Sequence, residues 1–89
     1  MASYSEDQIS SVNDIIEALD LEIYACKRVI DIADEAMDDG DDAQDVADAV
    51  VDYLWENNLG NVTMAAGNNL MVDKQTLLDL RQDIMQALA

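Results

Sequence analysis

Apolar residues recur at alternating spacings of three and four along the first part of the chain. The series consists of Ile9, Val12, Ile16, Leu19, Ile23, Cys26, Ile30, Ala33 and Met37. This spacing places every member on one side of an α-helix, as in the seam of a coiled coil. It predicts one uninterrupted helix from about residue 6 to about residue 38, roughly 50 Å long.

A second set of apolar residues follows the same stretch and widens the apolar side of the predicted helix. Its members are Ile15, Ala18, Ala25, Val29, Ile32 and Ala36. An apolar face wider than a two-stranded coiled coil requires indicates packing against more than one neighbour.

Local signals mark both ends of this predicted helix. Ser5 and Gln8 have the spacing of a capping box, and Tyr4 and Ile9 have the spacing of a hydrophobic staple around it. Gly40 is a helix stop, because glycine readily adopts the left-handed conformation that commonly follows a helix.

Two shorter helices are predicted after Gly40. The first begins with Asp41 or Asp42 as its cap and has an apolar face formed by Val46, Ala47, Val50, Tyr53 and Leu54. Its predicted end lies at residues 58–60. The second begins at Asp73, and its inner face consists of Leu77, Leu80, Ile84 and Leu88.

The stretch between these helices fits a helix poorly. Residues 62–72 place two short apolar runs on either side of Gly67 and Asn68, a pattern compatible with a small β-hairpin and equally with an irregular loop. The predicted fold is therefore mostly α, a single acidic helical domain over residues 1–89. Because two short helices cannot cover a 50 Å helix, the pattern also predicts a helical-bundle homodimer.

Composition removes most catalytic chemistry. The chain has no histidine and one cysteine, so Ser-His and Cys-His nucleophile systems and zinc sites lack their residues. Cys26 falls on the apolar seam, where a thiol is buried and inert. Gly40 does not have the surroundings of an EF-hand glycine, since Val46 occupies the position that requires glutamate. The sequence predicts a non-enzyme without a metal or cofactor.

Targeting signals are also missing from the sequence. Its first residues contain no basic region followed by an apolar run, and no apolar stretch reaches the ~20 residues of a membrane span. The expected location is the cytoplasm of the cell or of an infected host.

Charge is the most distinctive property of the chain. Its formal net charge is −16, and no Lys or Arg occurs between Arg28 and Lys74. We define the acidic surface as the eleven acids of residues 31–56: Asp31, Asp34, Glu35, Asp38, Asp39, Asp41, Asp42, Asp45, Asp48, Asp52 and Glu56. Nucleic acids and anionic membranes attract cationic proteins, so neither is an expected direct partner. The expected partner is basic, such as a nucleic-acid-binding protein or a nucleoprotein complex.

Like charges at helical spacing cost free energy. Each like-charged pair three or four residues apart costs about 0.2–0.5 kcal/mol, and the acidic surface as a whole costs roughly 2–4 kcal/mol. Solvated surfaces usually mix charges of both signs. Side chains at these spacings are roughly 5–6 Å apart, which is of the same order as successive phosphates on a nucleic-acid strand. The pattern therefore favours a surface that imitates a polyanion.

Three functions fit these residues. In size, charge and lack of catalytic residues the chain resembles the DNA-mimic inhibitors that phages use against restriction or CRISPR effectors, which implies an inhibitor of a basic protein. The first alternative is an oligomeric structural or assembly adaptor acting through the apolar seam. The second is a halophilic protein of other function, whose acids serve hydration. Trp55 lies close to the acidic row and is either an anchor for a partner or packed against the hairpin or a second subunit.

Overall fold

The computed structural model describes residues 3–57 and 74–89. Helix accounts for 79% of these residues, which confirms the mostly-α prediction, and no strand occurs among them. The helices are α1 (Glu6–Glu17), α2 (Ile23–Asp38), α3 (Ala43–Glu56) and α4 (Lys74–Ala87). The hairpin predicted at residues 62–72 and the predicted helix boundaries at 58–60 and Asp73 lie outside the described residues.

The prediction of a single helix over residues 6–38 is wrong. Helix α1 ends at Glu17, and the N–H groups of Leu19 and Asp20 donate to the carbonyls of Ile16 and Glu17, three residues earlier. Asp20 then adopts a left-handed conformation with φ 57°. Short polar residues tolerate this region better than most, because their side chains can hydrogen-bond locally.

A new helix begins directly after this turn. The side chain of Glu22 caps α2 by accepting a hydrogen bond from the Tyr24 N–H at 3.2 Å. Folding the chain back here lets the apolar faces of α1 and α2 cover each other, whereas one continuous helix would leave much of its seam exposed. The homodimer is predicted from an uncovered helix of roughly 50 Å, and no such helix is present among the described residues.

The break also changes which residues of α2 are buried. In α1 the seam residues Val12 and Ile16 are fully buried. The seam residues that pack half-buried against the core are Ile9, Leu19, Cys26 and Ile30. Ile23, predicted to lie on the seam, is 76% exposed. Further along α2 the seam residues Ala33 and Met37 are buried as predicted, together with Val29 and Ala36 of the second apolar set.

Of the boundary signals outside this break, the capping box and the glycine stop are confirmed, whereas Asp42, the N-cap of α3, makes no side-chain capping hydrogen bond. Ser5 and Gln8 form both hydrogen bonds of a capping box, at 2.9 and 3.2 Å. Gly40 has φ 79°, its N–H donates to the Met37 carbonyl, and the Asp41 N–H donates to the Ala36 carbonyl. This is a Schellman motif that ends α2 at its glycine.

The two later helices bury the faces that the sequence predicts. In α3 the buried residues are Val46, Ala47, Val50 and Leu54, and Tyr53 packs half-buried beside them. In the last part of the chain Leu77, Leu80, Ile84 and Leu88 are buried. All four helices therefore contribute to one apolar core, and no polar side chain of the described residues is buried within it.

The helices pack in a ring, α1 against α2, α2 against α3, α3 against α4, and α4 against α1. Short connections make α1, α2 and α3 successively antiparallel. Asp48 of α3 contacts Arg81 of α4, whereas Trp55, two turns later on α3, lines a groove with the earlier residue Leu77. Helix α4 is therefore antiparallel to α3, and the arrangement is an up-down-up-down four-helix bundle.

Candidate partner-binding surface

The acidic surface lies on the outside of α2, α3 and the corner between them. Eight of its members are exposed: Asp31, Glu35, Asp38, Asp39, Asp42, Asp45, Asp52 and Glu56. Asp34, Asp41 and Asp48 are half-buried. The apolar faces of α2 and α3 are turned into the core, so the carboxylates that alternate with them are held on the solvent side of rigid helices.

The corner between α2 and α3 is tied to the start of α1. The Tyr4 hydroxyl donates a hydrogen bond to the main-chain carbonyl of Asp41. Burial raises the pKa of Tyr4, and the carboxylates of Asp42, Asp41 and Asp45 raise it further. Four acidic residues at positions 39, 41, 42 and 45 thus project from a corner whose backbone is fixed by the Schellman motif and by Tyr4.

Apart from the N-cap Glu22, the charges of α2 run against its helix dipole. Its first turn contains no acid, its last turn contains no base, and Lys27 and Arg28 lie towards its start. Glu35 and Asp38 occupy the end of the helix, where the partial negative charge of the carbonyls disfavours anions. Fold stability alone would place these charges in the opposite order.

One member of the acidic surface is neutralised within the chain. Arg81 Nε donates to Asp48 Oδ1 at 2.6 Å and joins α4 to α3. The two residues are 33 positions apart in sequence, so no local pattern could have revealed the pair. Asp48 therefore supports the packing of α3 on α4 and offers less charge to a partner than Asp45 or Asp52.

Asp34 is turned towards α1 and marks the edge of the acidic surface. One of its carboxylate oxygens, Oδ1, is buried without a hydrogen-bond partner, as is Oδ1 of Asn13 in α1. Burial raises the pKa of Asp34, Asp31 raises it further, and a hydrogen bond from the Asn13 side chain lowers it. The partner-facing part of α2 is accordingly Asp31, Glu35 and Asp38.

Trp55 stands at the border between the acidic surface and an apolar groove. Its side chain is 63% exposed. The predicted hairpin, one alternative contact for this ring, lies outside the described residues, and packing against a second subunit stays a prediction. Tyr53, two residues earlier, packs against the core as expected. Trp55 is therefore available as an interface anchor on the described surface.

The single thiol lies near the core, and its surroundings disfavour ionisation. Cys26 is free and half-buried. Burial raises the pKa of its thiol and Glu17 acts in the same direction, which disfavours the nucleophilic thiolate. Within residues 3–57 and 74–89, no three metal-ligating side chains converge on a point that could hold a metal ion. No helix in the same residues is long and apolar enough to cross a lipid bilayer.

Comparison with protein-family models, with curated proteins and with solved structures finds no match to this chain.

Proposed function

We propose that the chain is a non-enzymatic binding protein whose acidic surface occupies the nucleic-acid-binding groove of a basic protein. The observation that carries the proposal is the placement of Glu35 and Asp38 at the C-terminal end of α2, where they oppose the helix dipole. Exposed carboxylates that destabilise their own helix are accounted for by a cationic partner. Direct binding of nucleic acid is disfavoured by a net charge of −16.

The α3 row supports the same function. Asp45, Asp52 and Glu56 are exposed on one rigid helix. Asp52 and Glu56 are four residues apart, which places their carboxylates roughly 5–6 Å apart, and Asp45 lies seven residues before Asp52, with the paired Asp48 between them. Such a row presents charge as a strand of phosphates does. We extend the proposal to the class of phage inhibitors that block restriction or CRISPR effectors, acting in the cytoplasm of the infected cell.

Affinity capture tests this proposal. The tagged chain is incubated with nuclease-treated bacterial lysate, bound proteins are eluted with a salt ramp, and mass spectrometry identifies them. The test variant combines Asp45→Asn, Asp52→Asn and Glu56→Gln. The matched control combines Asp14→Asn, Glu17→Gln and Asp83→Asn, which removes the same charge from exposed positions outside the acidic surface.

We expect nucleic-acid-binding proteins to elute at moderate salt from the wild type and the control, and to be lost from the test variant. Equal capture by the test variant and the control would overturn the role of the acidic surface. The halophilic alternative requires instead that the chain unfold at low ionic strength, which circular dichroism checks directly.

The adaptor and homodimer form a second candidate, supported by one observation. Most seam residues are occupied by the chain's own core, but Ile23 is 76% exposed. Light scattering of the wild type and of Ile23→Ser measures whether the exposed isoleucine holds two copies together. A wild-type dimer that becomes monomeric in the variant would favour this candidate, whereas a monomeric wild type removes it.

A further inference from the structure

A second kind of surface adjoins the acidic one, an apolar groove between α3 and α4. Large exposed apolar side chains among the described residues include Trp55, at 63%, and Leu78, at 51%. Both line a groove of about 290 Å³ together with Val51, Asp52 and Leu77. Leu77 is buried and Val51 half-buried, so they lie deepest, with Trp55 and Leu78 more exposed at the edges.

The packing of α3 and α4 accounts for the groove. The side chains of Val51 on α3 and Leu77 on α4 form the apolar floor of the groove. Leu78, next to Leu77, points about 100° away around α4 and reaches solvent instead of the core. Exposed Trp and Leu side chains on adjacent helices are uncovered apolar area, the kind of surface that binding partners bury.

Charge around the groove is negative. Asp52 lines it directly, Glu56 lies one turn further along α3, and Asp79 follows Leu78 on α4; all three are exposed. Arg81 of α4 is engaged by Asp48. An occupant therefore has to bring apolar surface for the floor and positive charge for the rim. Trp55 also offers its ring face to a cation.

We propose that this groove receives an apolar side chain flanked by Lys or Arg, carried on a segment of the basic partner. The inference rests on the proposed function and names the feature of the partner that the acidic surface alone does not specify. Charge complementarity selects this occupant over a second copy of the chain, because each copy carries a net charge of −16 and repels the other.

A synthetic peptide serves as the probe. The probe peptide contains two copies of the sequence Lys-Leu-Leu-Lys-Leu-Leu-Lys, which places apolar residues beside cations. Its counterpart has serine in place of every leucine and the same charge. Trp55 is the only tryptophan of the chain, so its fluorescence reports on the groove itself. We expect a saturable blue shift with the leucine peptide. Its affinity should be at least about tenfold higher than that of the serine peptide, which corresponds to about 1.4 kcal/mol.

Matched variants locate the binding. Leu78→Ser and Asp52→Asn should each weaken binding of the leucine peptide several-fold. Tyr24→Ser removes an exposed apolar side chain that does not line the groove, and Asp14→Asn removes an exposed carboxylate from α1, so both should bind as the wild type does. Circular dichroism verifies the helix content of each variant, and Asp52→Asn keeps the test valid if Leu78→Ser unfolds.

The outcomes separate this inference from the proposed function. Equal affinity for the two peptides, or equal loss in the groove variants and their controls, would overturn the groove as a docking site. If capture of nucleic-acid-binding proteins still fell in a variant with Asp38→Asn and Asp45→Asn, which do not line the groove, the proposed function would stand without it. If neither the charge variants nor the groove variants changed binding, the proposed function and the groove inference would both be overturned. A blue shift that depends on protein concentration without peptide would identify a second copy as the occupant and contradict the inference.

Discussion

At the scale of single residues, Asp34 connects the acidic surface to stability. The folded state holds the pKa of Asp34 above its ordinary value of 3.8. Between pH 3.8 and the raised pKa of folded Asp34, the folded chain binds more protons than the unfolded chain. The free energy of unfolding therefore falls as the pH rises through this range. At pH values above the raised pKa, ionised Asp34 lowers the free energy of unfolding by a constant amount.

The first prediction follows from this dependence of stability on pH. Asp34→Asn should be more stable than the wild type at pH 7, and the difference should shrink as the pH falls from the raised pKa of Asp34 towards 3.8. Urea unfolding across this range measures the difference, and NMR titration of the carboxyl carbon measures the pKa. Asp31→Asn is the control, because it should lower the pKa of Asp34. A pKa of 3.8 or below in the wild type would contradict the assignment.

The second prediction concerns the ion pair of Asp48 and Arg81. Both side chains are partly exposed, so solvent screens the pair and its contribution to stability is at most about 1 kcal/mol. Asp48→Asn should lower the free energy of unfolding by up to that amount, whereas Asp52→Asn, which removes an unpaired charge from the same helix, should not lower it. A double-mutant cycle with Arg81→Gln measures the coupling. Zero coupling energy would show that the contact does not stabilise the fold.

At the scale of helices, the reversed charge order of α2 makes the third prediction. Asp38→Asn should raise the free energy of unfolding by about 0.3–1 kcal/mol, because it removes an anion from a helix C-terminus. Asp7→Asn is the matched control, since Asp7 lies in the first turn of α1, and it should lower stability by a similar amount. If urea unfolding showed that both variants raise, or both lower, the free energy of unfolding, the dipole argument would be contradicted. Asp38→Asn should also weaken capture of basic proteins while it stabilises the fold.

The fourth prediction concerns the turn between α1 and α2. Asp20 has φ 57°, a region that costs most L-residues about 1–2 kcal/mol. Asp20→Val should therefore lower the free energy of unfolding by about that amount, and Asp20→Gly should preserve or raise it. Thermal or urea unfolding of the two variants compares them directly. Equal stabilities would mean that the chain does not need the left-handed conformation there.

The turn also explains why the sequence predicts some elements and not others. The capping box at Ser5, the Schellman glycine at Gly40 and the buried face of α4 depend on neighbouring residues, and each is confirmed. The break at residues 18–22 carries no glycine or proline, and Leu19 and Ile23 continue the seam spacing through it. Only the tertiary gain from folding α1 onto α2 decides the break, and that gain is not a local property.

The candidate site divides in the same way. The exposure of the acids and of Trp55 follows from helical periodicity, because both lie away from the apolar positions of their helix. The pairing of Asp48 with Arg81, the turning of Asp34 towards Asn13 and the groove between Trp55 and Leu78 each join residues of different helices. These features require the arrangement of the bundle, and no spacing along the chain predicts them.

At the scale of the whole molecule, the bundle presents its charge as a short rigid row. The acids of α3 extend over residues 45–56, roughly 16 Å at 1.5 Å per residue, which equals about five steps of 3.4 Å along one DNA strand. Because the row lies on a helix packed into the core, little conformational entropy is lost when a partner binds. The molecule thus suits a groove that holds about half a turn of nucleic acid.

The most direct test of the account is competition between this chain and DNA for the same captured proteins. Proteins bound to the immobilised chain are washed with a short DNA duplex at micromolar concentration, which adds negligible ionic strength, and with matched buffer as the control. The account predicts release by the duplex alone, since DNA and the acidic surface occupy one groove. Captured proteins that stay bound while they also take up the duplex would contradict it.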